Sequence, residues 1–432
     1  MIQSIFAGIS GIKSFQTGID VLANNIANVN TVGFRGSTTE FSNLFEQQIA
    51  SSSSTTSRQV GLGSQVSAIS LDLQSGEFYQ TENVTDLAIT SADGWFGVTG
   101  LKGDSFYTRA GNFHFDTYSK DGLKGQPFLP YDEPNKADIR LTNADGFLVT
   151  GTLANNTANG VLNPVVGSLD LSTVAAQEPL VFPNELSYLV EPTTQADFLG
   201  NLGVENVPIS VSAQVISPQS ERNNLRLLFT QSTPQPASGI SWDVVATTQT
   251  ADGSTVYDTQ TGVVTFGESG GLISSTLGTL DNNGAPITVN LGSGFTGLSS
   301  NAGPSVVSSS TTDGTLAGEL TGYTINRNGE VIADFTNGRQ SVVGKVAIYH
   351  FQNDQGLEAV TGNLFRTSDN SGKAIFYSQD NGSVLTGTLE NSNVALDTAL
   401  TQLIIMQRSY DAAAKTISTA DQLLQNALQM DA

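Results

Sequence analysis

The first thirty residues alternate apolar and polar positions with a helical period. Ile2, Ile5, Ile9, Ile12, Phe15, Ile19, Leu22, Ile26 and Val29 follow one another at steps of three or four, close to a heptad seam. Near the other end, Leu396, Leu400, Leu403, Tyr410, Ala414, Ile417, Leu424 and Leu428 form a second stripe, interrupted by Gln407 and Asp421. Ser392 or Asn393 is placed to cap its start. Helices are therefore expected over 1–30 and 393–432. Between them the helical period fades into short alternating runs. Asp93, Asp145, Asp252, Asn283, Asp313, Asn328, Asn337 and Asn381 are each followed by glycine, the signature of tight hairpin turns. "DLAITSADGWFGV" (86–98) and "YTINRNGEVIADF" (323–335) read as hairpins, with "VVGKVAIYHF" (342–351) as a strand beside them. The fold class is mainly β with α-helical termini.

Composition shifts divide the middle. "SSSSTTS" (51–57) is a flexible linker within a connecting segment, 31–72. Small polar residues with Pro and Gly crowd 150–175 and 299–318. The expected organisation is nested: an inner antiparallel β domain from 73–150 and 318–392, interrupted by an outer β domain, 151–317.

A single terminal helix buries one stripe and must order roughly thirty residues to do so, which leaves it marginal alone. Pairing the two within one chain still leaves much of each stripe uncovered. The ends are therefore expected to order fully against helices of other copies. The candidate assembly residues are Ile5, Ile9, Ile12, Ile19, Leu22 and Ile26 on the first helix, and Leu400, Leu403, Tyr410, Ile417 and Leu424 on the second. The competing reading is a plain pair of helices closing one end of a monomer.

An amide cluster, "LANNIANVNTVGFRGS" (22–37), ends the first stripe, although asparagine is a poor helix former. Asn24 and Asn28 share a face opposite Leu22, Ile26 and Val29. With Asn25 they are candidates to satisfy polar groups of adjacent copies in a packed assembly. Asn30 is expected to take a left-handed conformation and end the helix, with Gly33 and Gly36 turning the chain.

The chain has 432 residues, enough for two or three domains, and a formal charge of −22. Residues 151–320 hold 14 Asp and Glu against 2 Arg, a local net of −12. That balance argues against nucleic acid or an anionic membrane as partner. No window is long and apolar enough to span a membrane, so no membrane insertion is expected. Cysteine is absent, which excludes disulfides and thiolate metal sites. "MIQSIFAGIS" lacks the pattern of a cleavable signal, so the protein is expected to be cytoplasmic, or exported by a route that reads no such signal.

Little points to catalysis. The two histidines, His114 and His350, both fall in strand-like runs. There is no G-x-G-x-x-G, P-loop or G-x-S-x-G motif. Asp281-Asn282-Asn283-Gly284 lacks the alternating ligands of a calcium loop. No cofactor or metal is expected, and the chain is read as non-enzymatic. Three classes remain: a self-assembling structural subunit, an exported β-rich adhesin using its acidic middle, or a carbohydrate-active β enzyme with its carboxylates hidden among many.

"GIDVLANNIANVNTVGFRGS" (18–37) resembles the N-terminal signature of bacterial flagellar rod and hook proteins, and "SNVALDTALTQLIIMQRSYDAAAKTISTADQLLQNALQM" (392–430) resembles their closing helix. The resemblance covers roughly 1–150 and 318–432, including "FYTRAGNFHFD" (106–116). It implies a tube of many copies, with terminal helices forming a coiled-coil inner tube around a channel and β domains outside. It also implies a universal joint carrying torque from rod to filament, and type III export to a site outside the cell in the hook and basal body. The implied partners are further copies, rod and hook–filament junction proteins, the hook cap and the flagellar export apparatus. Chain length and the inserted domain point to the hook subunit rather than the shorter distal-rod subunit. The stretch 46–59 is longer than in some hook subunits, a departure that the family associates with stiff, straight rods. "FSNLF" places Phe41 and Phe45 four apart, on one face if helical, as in an export-recognition element; core packing is the competing role.

Overall fold

The computed structural model describes residues 2–44, 46–50, 58–100, 103–118, 138–158, 160–163, 177–377 and 384–430. Helix α1 (Ile2–Ala27) and helix α2 (Leu396–Met430) stand side by side as a stem. They run antiparallel, since Gly8 of α1 lies against Ile417 and Gly18 against Met406. The seam is not the isoleucine stripe. The buried positions of α1 are Gly8, Gly11, Ser14, Gly18, Leu22 and Asn25, again at steps of three and four. A Cβ on Gly8 would sit 2.6 Å from Ile417 Cγ1 and 3.3 Å from the Ala413 carbonyl oxygen. Glycine therefore lets the larger side chains of α2 lie directly on the α1 backbone. Of the isoleucines expected to meet other copies, Ile5, Ile12, Ile19 and Ile26 are half-buried, and Ile9 is exposed.

A β-hairpin leans on the stem. Strands β1 (Ser37–Asn43) and β4 (Ser64–Leu71) pair antiparallel, and β2 (Glu46–Ala50) with β3 (Arg58–Gly61) continue the same hairpin. Ser14 Oγ donates to the Ser64 carbonyl at 3.0 Å, and the Phe41 ring packs beside Phe15 with centroids 6.0 Å apart. Strand β5 (Phe78–Gln80) then pairs with Thr388–Glu390, bringing the two ends of the chain together below the stem.

The body has two β cores. Strands from Trp95–Thr99 through Ser187–Tyr188, and from Gly318–Ile325 through Ile375–Phe376, close into a barrel around Phe96, Leu141, Leu180 and Val331. A second sheet runs from Gln195–Asn201 to Val306–Thr312, over a core centred on Phe229, Trp242 and Phe266. Its middle is a meander of long antiparallel strands at 209–216, 222–231, 240–250 and 256–266. The composition shift at 151 is not the boundary. Strands between 148 and 188 belong to the barrel, and the second sheet starts at Gln195. Leu162, Leu180, Leu186 and Tyr188 fill the barrel interior, so that stretch is core despite its polar flanks.

The segment 323–335 forms its expected hairpin, with Tyr323 opposite Ala333. The segment 86–98 does not. Leu87–Ile89 pairs with Val384–Thr386, while Trp95–Thr99 pairs with Ser105–Thr108. Leu87, Ala88 and Ile89 are all fully buried, and the chain returning from the far end supplies the partner strand. The strand expected at 342–351 is split, with Gln340–Val346 and Ile348–His350 serving different neighbours. Part of 150–175, all of 51–57 and the Asn381-Gly382 turn lie outside the described residues.

Candidate functional site

The barrel and the second sheet each enclose a large apolar core, whereas the stem leaves large apolar side chains open along both helices. On α1, Phe6 is 61% exposed and Ile9 40%. On α2, Leu396, Leu400, Ile404 and Ile405 are exposed near the barrel, and Leu423 and Leu428 at the far end. Leu22 is buried, whereas Leu403, Tyr410, Ile417 and Leu424 are half-buried along the α1–α2 seam. Leu400, a candidate assembly residue, lies outside that seam and is exposed. Phe6 and Ile404 stand one position off the heptad stripes and Ile405 two, and the stripes hid them. Exposed apolar side chains gathered along two paired helices mark a contact surface.

The amide cluster divides its work. Asn25 is buried and clamps the start of β1, donating to the Ser37 carbonyl at 2.7 Å and accepting from the Ser37 N–H at 3.0 Å. Asn28 Nδ2 donates to the Asn24 carbonyl at 2.9 Å, and Asn28 Oδ1 accepts from the Thr31 hydroxyl at 3.1 Å. Asn24 and Asn28 line a cleft of about 550 Å³ between the end of α1 and the barrel, facing Asn112, Asn143 and Asn363. The left-handed residue that turns the chain is Gly33 (φ +64°), not Asn30. A side chain there would meet the Arg109–Ala110 backbone at 2.5 Å, so the turn also needs glycine for space.

The stem is anchored to the barrel by a buried ionic cluster that the sequence did not suggest. Glu390, beside the start of α2, meets Arg35 just after α1 and Arg109 of the barrel. Arg109 Nε donates to Glu390 Oε2 at 3.0 Å, with Nη2 2.8 Å from the same oxygen. Its remaining N–H groups reach the carbonyls of Ser91, Gly94 and Ile89. Arg35 Nη2 lies 3.1 Å from Glu390 Oε1, and the same oxygen accepts from the Gly76 N–H at 2.8 Å. All three side chains are at most 1% exposed. Burial pulls the Arg109 guanidinium down to about 10, with Glu390 opposing and Arg35 adding to the fall. Burial also lowers Arg35, partly offset by Glu390 and Asp72. Arg35 Nε and Nη1 have no hydrogen-bond partner among the described residues. Two cations thus share one carboxylate. Asn393 completes the junction, accepting from the Gly36 N–H at 2.8 Å and donating to the Asp72 and Gln74 carbonyls.

Phe41 lies on a strand, so the helical face expected of Phe41 and Phe45 is not formed there; Phe45 lies outside the described residues. His114 is exposed on a barrel strand, and His350 stacks on Tyr377 at 4.3 Å. Among the described residues no group of His, Asp and Glu is arranged to hold a metal ion, and no helix is long and apolar enough to cross a membrane.

Two family models match the ends of the chain: "Flagella basal body rod protein" over residues 5–35, and "Flagellar basal body rod FlgEFG protein C-terminal" over 385–430. Over nearly its whole length the chain is similar to the flagellar hook protein FlgE of Salmonella typhimurium, 28% identical over 443 residues and covering 98% of each chain. It is also 28% identical to the FlgE of Borreliella burgdorferi over 471 residues, covering 100% of both. The crystal structure of Helicobacter pylori flagellar hook protein FlgE2 aligns with a TM-score of 0.49 at 16% identity, over 72% of this chain and 100% of that one.

Proposed function

The chain belongs to the bacterial flagellar rod and hook protein family, a family of structural proteins, and we propose that it builds the flagellar hook by polymerising through its two terminal helices. The observation that carries this reading is the row of exposed large apolar side chains on the two paired helices of the stem, which stands beside two β domains that each enclose an apolar core. Neighbouring copies cover Phe6, Ile9, Leu400, Ile404 and Ile405, and the packed stems form the inner wall of a tube. Asn24 and Asn28 line a cleft at the base of the stem, where a neighbour's polar groups can meet them.

The anchorage suits a part that transmits torque. Glu390, Arg35 and Arg109 tie both helices to the barrel at one buried point, so rotation of the tube wall carries the barrel with it. The second sheet is joined more loosely. The chain crosses to it between 188 and 195 and returns between 312 and 318. Polar contacts brace these crossings, among them Arg339 Nη2 to the Thr315 hydroxyl at 2.6 Å and Asp313 Oδ1 accepting from the Thr194 N–H at 2.9 Å. Such a joint lets outer parts shift against neighbours while the inner wall stays connected, the property a bending coupling requires. Type III export, and contact with rod, junction and cap proteins, follow from the family reading. Phe41 and Phe45 remain the proposed export element, displayed when the chain is unfolded.

Electron microscopy of the full-length chain under polymerising conditions, beside a chain lacking 1–30 and 393–432, tests the reading. Curved tubes from the full-length chain alone support a hook. Straight tubes favour the rod alternative, with 46–59 the first suspect. Tubes from the truncated chain would remove the terminal helices from the mechanism.

A further inference from the structure

The root of the hairpin, Ser37 of β1 opposite Leu71 of β4, is held between two side-chain amides. On one side Asn25 of α1 meets both the N–H and the carbonyl of Ser37. On the other side Gln355 of the barrel does the same to Leu71. Its Oε1 accepts from the Leu71 N–H at 2.8 Å, and its Nε2 donates to the Leu71 carbonyl at 2.7 Å. Each amide stands where a neighbouring strand would, satisfying the donor and acceptor that the pair turns outward. A line of hydrogen bonds thus runs from the stem helix through the hairpin root to the barrel. Its two links differ in exposure. Asn25 is buried, whereas Gln355 lies in the open on a short turn at 354–356. The inner link is also reinforced, because Phe41 packs on Phe15 and Ser14 bonds to Ser64. Across the outer link, Leu71 and Leu73 rest half-buried on the aromatic cluster of Trp95, Tyr107 and Phe365.

We propose that Gln355 is a positioning residue, an exposed latch that sets the angle of stem and hairpin on the barrel. The hairpin moves with the stem, and when stem and barrel tilt they part at Gln355 and stay joined at Asn25. Water can replace both bonds of Gln355, so releasing them is nearly balanced, whereas the buried Asn25 would be left unsatisfied. The meeting of Arg35 and Arg109 on Glu390 is the pivot. Its side chains are at most 1% exposed, and parting them would strand a buried charge. Asn363, on the same barrel segment as Gln355, donates to the Val32 carbonyl at 3.0 Å and steadies the pivot side. A pivot alone leaves an angle free; pivot and latch together fix it. The latch is a property of the single chain. Its consequence for a tube, a change of curvature as subunits tilt, rests on the reading of the chain as a polymerising subunit.

The cysteine-free, full-length chain takes a pair of spin labels at Gln407→Cys on α2 and Thr117→Cys on the barrel, both exposed positions. Below the polymerising concentration, the distance between the labels reports the tilt. The parent should give one narrow distribution. Gln355→Ala should raise the parted population about tenfold, as two hydrogen bonds are lost, and so add a second distance, with the barrel still folded by Trp95 fluorescence. Gln355→Glu separates a latch from a space-filler. Its carboxylate still accepts from the Leu71 N–H but has no proton to give the Leu71 carbonyl. It should match Gln355→Ala at neutral pH and close again below about pH 4, where the protonated acid can donate. Other charged groups near the latch are Asp72 beside Leu71, Asp354 beside Gln355 with Asp93 and His350 acting on it, and the Glu358–Arg366 pair. The chain with Gln355 intact carries them all and is measured at each pH as the reference. In tubes, Gln355→Ala should widen the spread of curvature seen by electron microscopy. Identical distance distributions in the parent and both variants, or a Gln355→Glu distribution as broad below about pH 4 as at neutral pH, would overturn the latch. A second distance in the monomer with tube curvature unchanged would overturn the consequence for the tube alone. Absence of tubes from the unsubstituted chain would overturn the polymerising reading and leave the latch standing.

Discussion

Glu390→Gln should unfold the junction between stem and barrel out of proportion to its size. The substitution keeps the shape and an acceptor for the Gly76 N–H, but it removes the one carboxylate between two buried guanidinium groups. Breaking a buried ion pair from one side costs about 3–5 kcal/mol, because the charges left behind stay desolvated. At about 2–4 °C per kcal/mol for a unit of this size, the midpoint of barrel unfolding should fall by about 6–20 °C. Trp95 lies in the barrel and Trp242 in the second sheet, so single Trp→Phe backgrounds let fluorescence follow each part separately. The loss should appear in the Trp95 signal. Arg35→Met is the control. It removes the guanidinium whose Nε and Nη1 lack partners and leaves the Arg109–Glu390 pair intact, so its effect should stay within about 1 kcal/mol or be stabilising. A Glu390→Gln midpoint within about 2 °C of the parent, or an Arg35→Met chain equally damaged, would refute the view of this cluster as an anchor with one surplus cation.

Three further outcomes follow from the same geometry. Gly8→Val should force α1 off Ile417 and the Ala413 carbonyl at a cost of about 1–3 kcal/mol, read as lost helical circular dichroism in the monomer; unchanged helicity would mean the seam is elsewhere. Phe6→Gln, at a side chain 61% exposed, should leave monomer unfolding unchanged yet block polymerisation, and sedimentation of the variant separates the two effects. Asp252 is held down to about 2 by hydrogen bonds from the Thr250 hydroxyl and from the Ser254 N–H and hydroxyl. Its folded value lies below the ordinary 3.8, so its contribution is fully present above that value and is lost as pH falls through about 2. Carboxyl NMR should show Asp252 titrating near 2, and Thr250→Val should move it upward; no movement would discount the hydroxyl.

The two long helices and the hairpin at 323–335 were legible because they depend on local signals, a repeating apolar step and turn glycines. The seam between the helices was missed because periodicity weights large apolar residues, whereas close packing used Gly8, Gly11, Ser14 and Gly18. These recur at the same heptad steps, and a search for small residues would have found them. Leu87–Ile89 was misread because its strand partner, Val384–Thr386, lies near the other end of the chain. The same distance hid the Arg35–Glu390–Arg109 cluster, since no local pattern links residues 281 positions apart. The domain boundary slipped because a polar composition marks solvent-facing loops, and barrel strands lie between them. Asn25 was singled out with its neighbours, but its buried role required the position of Ser37.

The central claim is that the exposed apolar face of the stem is the surface on which copies meet. A cryo-electron microscopy map of tubes polymerised from the full-length chain measures this directly. The account predicts Phe6, Ile9, Leu400, Ile404 and Ile405 buried against helices of neighbouring copies, with the Gly8–Ile417 seam intact within each chain. Tubes held by contacts between second sheets, with those side chains open to solvent or to the channel, would contradict it.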